Sequence, residues 1–290
     1  MKFLISHQSC YRYSEMVSLS HNQVYLVPAV TSYQKCYEVA LDVIPNPTFS
    51  ARRSDFFGNL LTVFTVEKPH QELFVTAKST VEVFAQPLQD WASTLPWESV
   101  CSALLFPRCP AALFSSQFTF DSPFSVSFAD VKTYARISFP ESRPILEGVM
   151  DLTARIFRDF SYTPASTTVS TTVREVFEQR RGVCQDFAHL EISCLRSLGL
   201  AARYVSGYLE TVPAPGAEKL VGADASHAWL EVFIPDLGWV GVDPTNNLPV
   251  GDRHVVLAWG RDYGDVTPIR GVVLGGGQHE VLVAVNVQRL

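Results

Sequence analysis

The chain has 290 residues, 47% of them apolar and 18% charged, which suits one large or two modest globular domains and excludes wholesale disorder. Its 23 basic and 29 acidic side chains leave a net charge of −6 with no Lys/Arg-rich run, which excludes a nucleic-acid partner on charge. No apolar run reaches membrane-spanning length, and the apolar stretch within Met1 to Ser9 is too short for a secretory leader, so the expectation is a cytoplasmic protein with no membrane partner.

Residues 1 to 85 read as strands. Tyr37, Val39, Leu41 and Val43 alternate with Glu38, Ala40 and Asp42, and the segments 60–66 and 73–84 are rich in β-branched and aromatic residues. Between two strands, Asp55-Phe56-Phe57-Gly58-Asn59 supplies a turn. The expectation for this part is a β-rich N-terminal domain without a reactive cluster. Pro87, Pro96, Pro107, Pro110 and Pro123 then punctuate a connector over 86–136, with short helices at 97–105 and 110–117.

A core is expected over 137–290. Leu146, Val149, Met150, Ile156, Phe157 and Phe160 fall at helical spacing after Pro144. A shorter helix follows over 171–179, and a third begins at Cys184 with the stripe Phe187, Leu190, Cys194, Leu195 and Leu198, stopping at Gly199. Strands return at 202–209, 227–234, 239–243, 254–259 and 279–287. The fold class is therefore α+β. Gly275-Gly276-Gly277 lacks the spacing of a phosphate loop, so no cofactor is expected.

Three segments carry the chemistry: Arg181-Gly182-Val183-Cys184-Gln185-Asp186, Ser226-His227-Ala228-Trp229 and Gly241-Val242-Asp243-Pro244-Thr245-Asn246. Cysteine, histidine and aspartate in this order read as nucleophile, base and orienting group. A helix N-terminus at Cys184 favours negative charge on its sulfur, and Gly182 eases the turn into that helix. If Phe233 pairs with Trp239, His227 and Asp243 become diagonal neighbours on one face; a slip of one residue separates them. The Cys184 backbone N–H is a natural oxyanion donor. Tyr162 and Gln179 are candidates for the second donor, and Gln185 and Trp229 for the cleft around it. His189 and Asp186 read as structural, Asp186 as a cap partner. A zinc site from Cys184, Cys194 and His227 lacks paired-ligand spacing, so no metal is expected. The six cysteines form no C-x-x-C pair and read as free thiols.

These segments resemble the transglutaminase-like superfamily, a papain-like Cys-His-Asp group, and within it bacterial cysteine-protease-type members. Ala202-Arg203-Tyr204-Val205-Ser206-Gly207-Tyr208 and Gly260-Arg261-Asp262-Tyr263-Gly264-Asp265-Val266 belong to the same pattern, and residues 1–85 resemble the β-rich region that precedes the core in that group. The resemblance implies a bacterial protein whose nucleophile helix packs on an antiparallel sheet carrying the histidine and aspartate. Animal transglutaminases place an oxyanion tryptophan upstream of the cysteine; here no tryptophan lies between Trp97 and Cys184. The leading expectation is a thiol-dependent hydrolase of a peptide or amide substrate. The alternatives are an acyltransferase with an amine acceptor and a non-catalytic interaction module.

Overall fold

The computed structural model describes residues 1–86, 90–164, 166–210 and 226–290, so Pro87 of the expected connector lies outside the described residues. Strands come first: β1 (Lys2–Val24), β2 (Gln34–Ile44), β3 (Phe49–Ser54), β4 (Leu60–Val66) and β5 (His70–Val83). Helices α1 (Trp97–Leu105), α2 (Pro110–Ser116), α3 (Ala129–Arg136) and α4 (Ile145–Asp159) follow. The two-residue strand β6 (Ser161–Tyr162), helix α5 (Val173–Gln179) and strand β7 (Arg181–Gly182) lead into α6 (Cys184–Ser197). Then come β8 (Ala202–Leu209), β9 (Ser226–Ile234), β10 (Gly238–Asp243), β11 (Leu248–Pro249), β12 (His254–Gly260), β13 (Ile269–Gly275) and β14 (His279–Arg289).

The N-terminal sheet is built around β1. Phe3, Ile5, His7 and Ser9 alternate inward along it, the period-2 pattern of a half-buried strand. On one side β1 pairs with β5 near its start and with β4 near its end. On the other side it pairs with β14 near its start and with β13 near its end. This corrects the grouping of all of 137–290 into one core: residues 269–289 complete the N-terminal sheet. The physical reason is the length of β1, whose second edge would otherwise leave a row of backbone donors and acceptors unpaired. Helix α3 was not expected either. Its Val131, Tyr134 and Ala135 are buried in the same cluster as α4 and α6, so the end of the 86–136 connector forms part of the helical layer.

The second sheet runs β11-β10-β9-β8-β12, antiparallel throughout. One face, with Ala228, Leu230 and Val232, packs on Ala188, Ile192 and Leu195 of α6. The N-terminal region packs on this sheet too: Tyr208, Val255 and Leu257 pack with Phe3, Ile5 and Val24, and Val205, Trp229 and Val256 with Ala29. The fold is thus α+β, with the helices and the N-terminal sheet both packed on a central antiparallel sheet. Among the described residues, no helix is long and apolar enough to cross a membrane.

Strand β12 lies at the edge of the central sheet, and side-chain amides from the N-terminal region close that edge. Gln34 Oε1 accepts from Val256 N–H at 2.8 Å, while Gln34 Nε2 donates to the carbonyls of Val256 at 2.8 Å and Ala29 at 2.7 Å. Asn59 repeats the pattern at Trp259, accepting at 3.0 Å and donating at 2.7 Å. Each amide stands in for a missing strand. Gln34→Leu would leave the buried Val256 N–H without its acceptor, a cost of about 1–3 kcal/mol. Urea unfolding at unchanged m-value measures it, and a loss below about 0.5 kcal/mol would show that the amide does not secure the edge.

Candidate active site

Cys184 is the first residue of α6. The parallel pairing of Tyr162 with Gly182, extended by Thr163 N–H to Gly182 C=O at 2.9 Å, fixes the approach of the chain. Val183 is extended and serves as the N-cap. Asp186 Oδ2 accepts from Val183 N–H at 2.8 Å and from the Thr167 hydroxyl at 2.7 Å, so it is the cap partner expected. A Cβ at Gly182 would lie 2.8 Å from Asp186 Cβ. Glycine is therefore required here because the Asp186 side chain closes over it, and not for the freedom of a turn. The half-buried Cys184 side chain projects from a helix start, whose unpaired N–H groups favour negative charge.

The β9–β10 register pairs Phe233 with Trp239, and Val242 with Leu230. Asp236 at φ 68° and Gly238 at φ 80° make the tight turn that sets it. His227 and Asp243 consequently share a face, and His227 Nε2 lies 2.8 Å from Asp243 Oδ2. Burial alone would lower the His227 pKa, but hydrogen bonds with Asp243 and Cys184 and the charge of Asp243 raise it to about 10. With Nε2 engaged by Asp243, Nδ1 is the nitrogen left for Cys184. Asp243 is fully buried, which would raise its pKa; donors from His227, His254 and Asn246 outweigh burial and hold it well below the usual carboxylate range.

His254 was missed. Its Nε2 lies 3.2 Å from the same Asp243 Oδ2, and its Nδ1 accepts from Gly251 N–H at 3.3 Å. Asn246 Nδ2 donates to Oδ2 at 2.7 Å, and the backbone N–H groups of Thr245 and Asn246 donate to Oδ1 at 3.0 and 3.3 Å. The one available signal was a histidine opening the otherwise apolar run Val255-Val256-Leu257-Ala258-Trp259. His227, Asp243 and His254 are near enough to one another to hold a metal ion, but the N–H donors around Asp243 already account for the cluster.

The remaining candidates separate. Tyr162 is half-exposed, edge-on to Phe187 at 6.5 Å, and burial followed by the charge of Cys184 raises its pKa. Gln185 is half-buried in the first turn of α6. Gln179 is exposed, and its side-chain oxygen accepts from Arg181 Nε at 3.2 Å. Trp229 is fully buried with its ring edge-on to His254 at 5.2 Å, so it backs the histidines and does not line a cleft. His189 is structural as expected: Nε2 accepts from Tyr263 N–H at 3.1 Å, and its ring is sandwiched between Phe124 and Tyr204. A cavity of about 910 Å³ has Phe124, Phe128, Val169, Val173 and Arg174 among its walls and does not include Cys184.

Residues 3–82 match the bacterial transglutaminase-like N-terminal region, and residues 132–244 match the transglutaminase-like superfamily core. An uncharacterized protein of Mycobacterium tuberculosis is 41% identical over 295 residues, covering 99% of this chain and 92% of its own length. The chain belongs to the transglutaminase-like superfamily. An uncharacterized protein of Mycobacterium leprae is 33% identical over 291 residues, covering 99% of this chain and 98% of its own. The crystal structure of a "Putative Cysteine Protease" from Cytophaga hutchinsonii has the same fold, with a TM-score of 0.75 at 21% identity over 99% of this chain and 90% of that one. A local match, 39% over 90 residues, links 30% of the chain to 13% of a "Protein-glutamine gamma-glutamyltransferase" of Pseudomonas aeruginosa.

In this superfamily member a second buried carboxyl lies beneath the site. Glu191 Oε1 accepts from the Thr153 hydroxyl at 2.8 Å, while Oε2 has no hydrogen-bond partner among the described residues. Burial, and secondarily the charge of Asp243, push its pKa up to about 8 against the Thr153 bond. The folded-state value lies above the ordinary 4.5, so the contribution to stability is complete below that pH and is lost as pH rises toward 8. Glu191→Gln removes this titration. Thermal midpoints between pH 5 and 8 are expected to fall for the wild type relative to the variant; parallel curves would show that Glu191 is ionised in the folded state.

Proposed function

We propose that the chain is a thiol-dependent amide hydrolase, a peptidase or amidase, acting through Cys184, His227 and Asp243. One observation carries the reading: a fully buried carboxylate holds Nε2 of an imidazole whose remaining nitrogen faces a cysteine at a helix N-terminus. His227 takes the Cys184 proton, and the thiolate attacks the carbonyl carbon of the amide. The oxyanion is stabilised by the Cys184 backbone N–H, with the Tyr162 hydroxyl as the candidate second donor. Collapse forms the thioester and expels the amine, which leaves with the proton from His227. Water then attacks the thioester, giving its proton to His227, which returns it to the departing sulfur as the acid is released. Asp243 keeps the imidazole oriented and compensates its positive charge. The six cysteines are free, which supports placement in the reducing cytoplasm.

A second reading has support of its own. The local likeness to the Pseudomonas aeruginosa glutamyltransferase favours an amine in place of water at the thioester. Both readings share the acyl-enzyme. Ammonia release from glutamine peptides, with and without a primary amine, followed by mass analysis of the peptide, separates acid from amide product.

Iodoacetamide alkylation of Cys184 across pH tests the site without a substrate. The wild type is expected to be alkylated faster at neutral pH than His227→Ala, because the imidazole takes the thiol proton. An unchanged profile in the variant would remove His227 from the mechanism. Cys184→Ala should abolish turnover with the fold intact. Asp243→Asn should lower turnover less, because it disturbs orientation and leaves the nucleophile in place; equal losses would contradict that role.

A further inference from the structure

The mechanism above uses the imidazole of His227 and leaves unexplained a second imidazole on the same carboxylate oxygen. His254 is 2% exposed. Its Nδ1 accepts from Gly251 N–H, so the ring proton sits on Nε2 and is aimed at Asp243 Oδ2. The arrangement is built with some care. His254 opens β12, separated from Asp243 in the ladder by β9 and β8. Trp229 on β9 supports the ring edge-on, and Trp229 itself passes over Gly207 of β8, where any Cβ would collide with the indole and with the Val255 carbonyl. The same carboxylate also receives His227, Asn246 and two backbone donors.

We propose that His254 is a positioning residue that holds Asp243 and, by sharing its Oδ2, moderates the basicity of His227. The proposal rests on the reading of Cys184, His227 and Asp243 as the reacting set. Three side-chain donors compete for one oxygen. Each donor on Oδ2 draws on the same negative charge, so the bond to His227 is weaker than it would be with His227 alone. A base that must also return its proton to the leaving amine is served by an imidazole that is not held charged too strongly. Among the described residues, the other titratable groups that act on this cluster are Cys184 and Glu191, both from α6. Arg253, next to His254, is directed to Glu210 at 3.6 Å.

Two variants and one spectrum test this. In wild type, ¹⁵N NMR of the ring nitrogens is expected to show His254 as the Nε2–H tautomer at neutral pH; the Nδ1–H tautomer would overturn the proposal without any variant. In His254→Leu, Oδ2 is left to His227 and Asn246. The imidazolium is then held more strongly, and the His227 ring, followed by ¹⁵N NMR, should lose its proton at a pH higher than in wild type by about half a unit or more. His254→Gln, which keeps an N–H donor, should restore the wild-type midpoint. An unmoved midpoint, or one moved to lower pH, would assign His254 a packing role only. His227→Ala run in parallel separates the two failures: if it leaves Cys184 alkylation unchanged, the reacting set is wrong and the proposal falls with it. If it abolishes the reactivity while His254→Leu leaves the His227 midpoint in place, only the His254 proposal fails.

Discussion

The burial of the Asp243 carboxylate is the constraint to which the rest of the site answers. A lone charge in that position would cost several kcal/mol, and it is tolerated because its oxygens are surrounded by donors. Those donors come from separate places in the chain: His227 from β9, His254 from β12, and Thr245 and Asn246 from the turn after β10. Each can reach Asp243 only if the central sheet keeps its register and curvature. Thus the energetic need to compensate one buried charge ties the alignment of several elements to the orientation of a single imidazole.

The same logic gives the N-terminal sheet a part in the geometry. Strand β12 supplies His254 and is also the edge strand of the central sheet. Its Val256 and Trp259 backbone groups are paired by Gln34 and Asn59, and both sheets share an apolar layer through Tyr208, Val255 and Leu257. A further polar link reaches in from the N-terminal region: Tyr33 O–H donates to Glu231 at 3.1 Å, and Glu231 pairs with Arg203, whose guanidinium lies between the rings of Trp239 and Trp259. This buried ion pair is secured on every side, which is the condition under which such pairs are tolerated. Moving the N-terminal sheet would therefore disturb β12 before it disturbed α6.

What the sequence reveals follows from the range of the interactions involved. The start of α6, the β9–β10 register and the pairing of His227 with Asp243 were legible because each depends on a turn or a cap within a few residues. Asp236 and Gly238 set the hairpin, and Gly182 with Asp186 set the helix start. His254 was illegible because its contact with Asp243 spans two intervening strands, and no periodicity encodes that distance. The place of 269–289 beside β1 was hidden for a similar reason: alternation shows that a segment is a strand, not which edge it completes. Helix α3 is short and follows a proline-punctuated stretch, so its apolar positions did not stand out.

The electrostatics at the head of α6 contain an opposition that the local structure moderates. Asp186 lies in the first turn, where its carboxylate would compete with a Cys184 thiolate for the same helix N-terminus. Burial raises the Asp186 pKa, and the hydrogen bonds from Thr167 and Val183 only partly reverse this. Those bonds also direct its oxygen to the backbone before the helix, at Val183, and to the loop at Thr167. The first-turn N–H groups of α6 are thereby not taken up by this carboxylate, while His227 reaches Cys184 from the sheet. Capping therefore uses a donor outside the first turn of the helix, so a stable N-terminus is compatible with the thiolate that the proposed function requires.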